Sequence, residues 1–93
     1  MGLFKSSNTE KVVQRDISAA TANRERLSTQ LADTEQAIPR HAAAAKQGAL
    51  AGDEAELDRA EISLRAAQDR SKTLNAALAD VEQDLAALVL ERE

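Results

Sequence analysis

The chain has 93 residues, a formal net charge of −4, a single aromatic residue and no cysteine. This length allows one domain at most, and the lack of cysteine excludes a disulfide framework and the usual thiolate metal sites. The negative charge argues against nucleic acid as the main partner, because the phosphate backbone is itself negative. The abundance of Ala, Glu, Leu, Arg, Lys and Gln is typical of long helices that pack along a narrow seam.

The N-terminal segment, residues 1–7, contains Leu3 and the single aromatic residue, Phe4. We expect this segment to be flexible, because Ser7 followed by Glu10 forms a capping box that would begin the first helix near residue 8. An alternative is that Leu3 and Phe4 form a tip that touches a membrane surface or a partner protein. A tip with two apolar side chains gives only weak membrane affinity.

The first helix is predicted over residues 8–51, because apolar side chains recur at alternating spacings of three and four residues. Polar residues at three of these heptad positions weaken the seam. The predicted seam consists of Val13, Ile17, Ala20, Arg24, Leu27, Leu31, Thr34, Ile38, His41, Ala45 and Gly48.

Pro39 lies on the outward side of this helix, directly after the seam residue Ile38. Proline lacks the N–H that would donate to the preceding turn, and its ring crowds that turn, at a cost of about 3 kcal/mol. The heptad pattern continues past Pro39 without a shift. We therefore expect a kinked but continuous helix, with a break near Ile38 as the alternative.

The stretch around Gly52 predicts a tight turn. Glycine can adopt the left-handed conformation that ends a helix, and Asp53 can accept hydrogen bonds from the free N–H groups of the next one. Glu56 stands three residues later, which completes a second capping box. The second helix is therefore predicted over residues 54–92. Its seam consists of Leu57, Ala60, Leu64, Ala67, Ser71, Leu74, Leu78, Val81, Leu85, Leu88 and Arg92.

Pairing the two seams predicts an all-α fold, an antiparallel two-helix coiled-coil hairpin with arms of roughly 60 Å for about 40 residues. The preferred register places Leu27 opposite Leu78 and Thr34 opposite Ser71. A shift of one heptad would place Leu27 opposite Ser71 and Thr34 opposite Leu64. The shifted register would place each of these polar residues against a leucine instead of against each other, so the first register is favoured.

Arg24 and His41 are the two charged or titratable residues of the first seam. His41 has no histidine, cysteine or glutamate at the helical spacings that bind metals, so we expect no metal site. Either residue could select the register or the partner of the coiled coil. The alternative is that both are tolerated defects at the edge of the seam.

Apolar residues also fall outside the seam, where an isolated hairpin leaves them exposed. Such surface usually marks an interface, and a hairpin of this size buries little of its own. Two hairpins pairing into a four-helix bundle would cover it. The candidate interface consists of Ala42, Ala43, Ala76, Ala77, Val89 and Leu90.

We expect no enzymatic activity and no cofactor, because the sequence contains no nucleophile–base pair, metal-ligand set or phosphate-binding loop. The favoured function is a cytoplasmic structural or protein-interaction module, a self-associating hairpin that acts as scaffold, spacer or assembly subunit, as in a phage particle. Its partner would be a second copy or another protein. The alternatives are a membrane-peripheral coiled coil tethered through Leu3 and Phe4, and an adaptor or chaperone for one protein.

Overall fold

The computed structural model describes the backbone of residues 2–92 and the side chains of residues 10–91. Two helices make up this range, α1 (Gly2–Ala51) and α2 (Glu54–Arg92). They fold back on each other as an antiparallel hairpin, a rod of 75 × 14 × 14 Å. The all-α hairpin predicted from the sequence is confirmed.

The seam between the helices is the one predicted from the heptads. Between residues 13 and 88 every seam position is buried or half-buried except Arg24, which is exposed. The side chains with the least exposed surface all belong to the seam, and two of the six are alanines, whose small side chains let the helices approach closely. These six side chains are Val13, Leu27, Ala60, Ala67, Leu74 and Leu85.

Gly48 shows which register the two helices adopt. A Cβ built on Gly48 would lie 2.8 Å from the backbone nitrogen of Leu57 and 3.1 Å from its Cα. The preferred register places these two residues opposite each other, whereas a shift of one heptad would not. The unshifted register is therefore confirmed, and the two backbones approach closely at Gly48.

The turn between the helices is a Schellman motif. Gly52 has a φ of 70°, in the left-handed region that glycine adopts without a steric penalty. The N–H of Gly52 donates to the carbonyl of Ala49 (3.3 Å), and the N–H of Asp53 donates to the carbonyl of Gly48 (2.9 Å). These two bonds satisfy carbonyls that the end of α1 would otherwise leave unpaired.

Asp53 also caps the start of α2. Its Oδ1 accepts a hydrogen bond from the N–H of Glu56 (3.1 Å), and its carbonyl accepts one from the N–H of Leu57 (3.0 Å). Only this half of the predicted capping box forms. The reciprocal bond would need the N–H of Asp53, which donates to Gly48 instead.

Replacing Asp53 with alanine should lower the free energy of unfolding by about 1 kcal/mol, because the N–H of Glu56 loses its acceptor. Asp53→Asn is the matched control, since an asparagine oxygen can accept the same hydrogen bond. Urea denaturation followed by circular dichroism measures both variants. Equal losses in the two variants would show that the charge of Asp53, and not its hydrogen bond, stabilises the turn.

The predicted start of the first helix near residue 8 is wrong, because α1 begins at Gly2. Residues 2–8 contain no proline that would oblige the chain to leave the helix, so the capping pattern at Ser7 does not act as a start signal. The longer α1 accounts for a rod of 75 Å in place of the expected 60 Å. The candidate tip at Leu3 and Phe4 depends on side chains that lie outside the described ones.

α1 continues through Pro39 without a break. Both Pro39 and Glu35 are exposed, so the Glu35 carbonyl that loses its helical donor can hydrogen-bond to water. The predicted continuity is confirmed, and the alternative of a break near Ile38 is wrong.

Candidate protein-interaction surface

Two half-buried threonines along the rod donate their hydroxyl hydrogens within their own helix. The hydroxyl of Thr34 donates to the carbonyl of Gln30 (2.8 Å), and that of Thr21 donates to the carbonyl of Ile17 (2.7 Å). Thr34 therefore lies in its predicted seam position with its hydroxyl hydrogen already in use. Among residues 10–91, no buried side-chain polar atom lacks a hydrogen-bond partner.

A groove of about 630 Å³ runs between the helices in the half of the rod away from the turn, beside the last turns of α2, and we name it the open-end groove. Its charged members are Arg24 and Glu82. The exposed Arg24 therefore lies at the edge of this groove. The groove is lined by Ile17, Thr21 and Arg24 of α1 and by Glu82, Leu85, Ala86, Val89 and Leu90 of α2.

A second, smaller groove of about 390 Å³ lies closer to the turn and contains His41. His41 is half-buried there, in the seam position expected of it. Asp33 and Arg70 lie in the same groove, so it carries both charges. Across residues 10–91, no cluster of three or more His, Asp or Glu side chains could hold a metal ion.

The candidate interface residues are exposed with one exception. Val89 retains 43% and Leu90 71% of their accessible surface, and Ala42, Ala43 and Ala76 are exposed as predicted. Ala77 is half-buried. It directly precedes the seam residue Leu78, and helical geometry places it beside the facing helix.

The sequence interpretation missed two apolar residues near the turn. Leu50 retains 73% and Ile62 70% of their accessible surface. Both occupy the heptad position farthest from the seam, so this position in the heptad pattern could have identified them. They lie on the outward faces of α1 and α2 and are not part of the open-end groove.

Across the part of the chain that the structure describes, neither helix offers an apolar stretch long enough to cross a lipid bilayer. Comparisons of the chain with protein-family models, with characterised proteins and with solved structures give no match in any of the three. The surface of the hairpin is therefore the basis on which a function can be argued.

Proposed function

We propose that the chain is a non-enzymatic protein-interaction module of the cytoplasm, a self-associating helical hairpin that serves as scaffold, spacer or assembly subunit. The observation that carries this proposal is the open-end groove with its exposed apolar side chains, Val89 and Leu90. Apolar surface gathered beside a groove near the end of α2 favours a contact with another protein. The most direct partner is a second hairpin.

The small buried core of the hairpin supports self-association. Within residues 10–91, no side chain is fully buried, and only six apolar side chains are largely buried. A chain of this size that buries so little apolar surface is marginally stable on its own. A second hairpin that covers Val89 and Leu90 would add apolar burial where one hairpin cannot.

The shape of the molecule supports a role as spacer or assembly subunit. A rod of 75 × 14 × 14 Å holds its two ends far apart, and a continuous α1 keeps that distance nearly constant. Its carboxylates lie mostly on exposed positions, where water solvates them, and this environment does not favour acid–base catalysis.

Sedimentation equilibrium over about two decades of micromolar concentration tests self-association, and the melting temperature should rise with concentration if folding and assembly are linked. We expect a reversible dimer or a higher oligomer. A monomer at every concentration, with a constant melting temperature, would overturn the proposal. A monomer that captures one specific protein would support the adaptor function instead.

A further inference from the structure

We infer that the open-end groove is the contact surface for a second copy of this chain, with the two hairpins related by a two-fold axis parallel to the rods. Arg24 of each copy then lies opposite Glu82 of the other. This inference rests on the self-association proposed above. It adds which face of the hairpin forms the contact, how the two hairpins are oriented, and which charged residues select that orientation.

The two charged residues of the groove favour a two-fold axis parallel to the rods. Arg24 of α1 and Glu82 of α2 lie at the same height along the rod, because the register places Arg24 opposite Val81, the neighbour of Glu82. A two-fold axis along the rod exchanges α1 and α2 while keeping that height. Two identical Arg24–Glu82 pairs then form across the contact, one on each side of the axis.

A two-fold axis perpendicular to the rods is disfavoured by the same residues. Arg24 and Glu82 lie at the end of the groove nearer the turn, and Val89 and Ile17 lie at the other end. A perpendicular axis through the groove exchanges these ends. It would press Arg24 against the apolar end of the other copy, where a guanidinium without a partner is costly to bury.

The remaining lining can be buried without leaving a polar group unsatisfied. The hydroxyl of Thr21 already donates to the carbonyl of Ile17 at 2.7 Å, so it loses no partner when water leaves the groove. Leu85, Val89 and Leu90 supply apolar surface, of which Leu90 exposes the most. The groove thus combines apolar area with one self-complementary pair of charges.

Charge reversals test the contact. Arg24→Glu and Glu82→Arg each turn two attractive pairs into two repulsive ones, and each should weaken the dimer roughly tenfold or more. The combined variant Arg24→Glu/Glu82→Arg should restore the wild-type dissociation constant. Arg15→Glu is the matched control, since it makes the same charge change at an exposed position outside the groove. Circular dichroism of each variant confirms that the hairpin remains helical.

Each outcome of the sedimentation experiment decides between the two proposals. A monomeric wild-type chain would overturn self-association as a whole. A wild-type dimer that the single reversals leave unchanged, or that the combined variant fails to restore, would overturn this interface alone. Weakening by both single variants with recovery in the combined variant supports it.

A spin label on Gln47→Cys tests the orientation, because Gln47 is exposed near the turn and the chain has no cysteine of its own. The parallel axis puts both labels at the same end of the dimer, within the distance range of double electron–electron resonance. A perpendicular axis through the open-end groove would separate them by more than the 75 Å length of one rod. A dimer without a measurable distance between the labels would overturn the parallel axis.

Discussion

Replacing Gly48 with alanine should destabilise the hairpin by about 1–3 kcal/mol, the usual cost of forcing an extra carbon into packed surroundings. The same substitution at an ordinary position inside a helix stabilises it by up to about 1 kcal/mol. The sign reverses because the new Cβ would lie 2.8 Å from the Leu57 nitrogen and 3.3 Å from the Asp53 carbonyl oxygen. These are backbone atoms, so the helices themselves must move apart at the turn.

Urea denaturation gives the free energy of unfolding for this variant. Gln47→Ala is the matched control, because Gln47 is the exposed neighbour of Gly48 in the same helix and its truncation should change stability little. A Gly48→Ala variant as stable as the wild type would mean that the backbones of α1 and α2 do not approach this closely. The register argued from that approach would then lose its main support.

Replacing Leu27 with alanine should lower the free energy of unfolding by about 2–3 kcal/mol, near the lower end of the range for buried leucines. Leu27 exposes 7% of its surface and occupies the layer opposite Leu78. The expected loss stays near the lower end because a two-helix seam can close part of the space left behind. A hairpin of marginal stability would nevertheless be largely unfolded by this single change.

Leu50→Ala makes the same truncation at a leucine that exposes 73% of its surface, outside both the seam and the open-end groove. It should leave the urea midpoint almost unchanged. Comparing the two variants separates the effect of burial from the change of residue type, because the same Leu→Ala substitution is made at both positions. Similar losses in both variants would contradict the predicted seam.

The hairpin could be predicted from the sequence because two independent patterns agree on it. The heptad spacing identifies which face of each helix is buried, and even the weak positions Thr34 and His41 are half-buried there. The pair Gly52 and Asp53 identifies the turn, since a left-handed glycine followed by a capping aspartate ends one helix and begins the next. Register follows from aligning the two seams on that turn.

The features that were missed depend on competition between local interactions. A capping box at Ser7 describes one way for a helix to begin, but the pattern does not show whether a helix can extend past it. The backbone N–H of Asp53 could donate either to the side chain of Glu56 or to the carbonyl of Gly48, and it donates to the carbonyl of Gly48. Sequence alone does not rank such alternatives.

The candidate site was only partly predictable for a similar reason. Val89, Leu90 and Arg24 could be identified as unusual residues from their heptad positions. That Arg24 and Glu82 share one groove follows only once both helices are placed in register. The groove forms only where α1 and α2 lie side by side, so the heptad pattern of either helix alone does not predict it.

The two-residue turn has a consequence for how the hairpin forms and opens. Contacts beside the turn close the shortest loops, so they form at the lowest entropic cost, and successive layers can then zip outward along the rod. The layers farthest from the turn join last and fray first. The residues of the open-end groove belong to these layers, which have the least intrinsic protection against hydrogen exchange. A second copy that binds there would therefore stabilise the part of the hairpin that opens most easily.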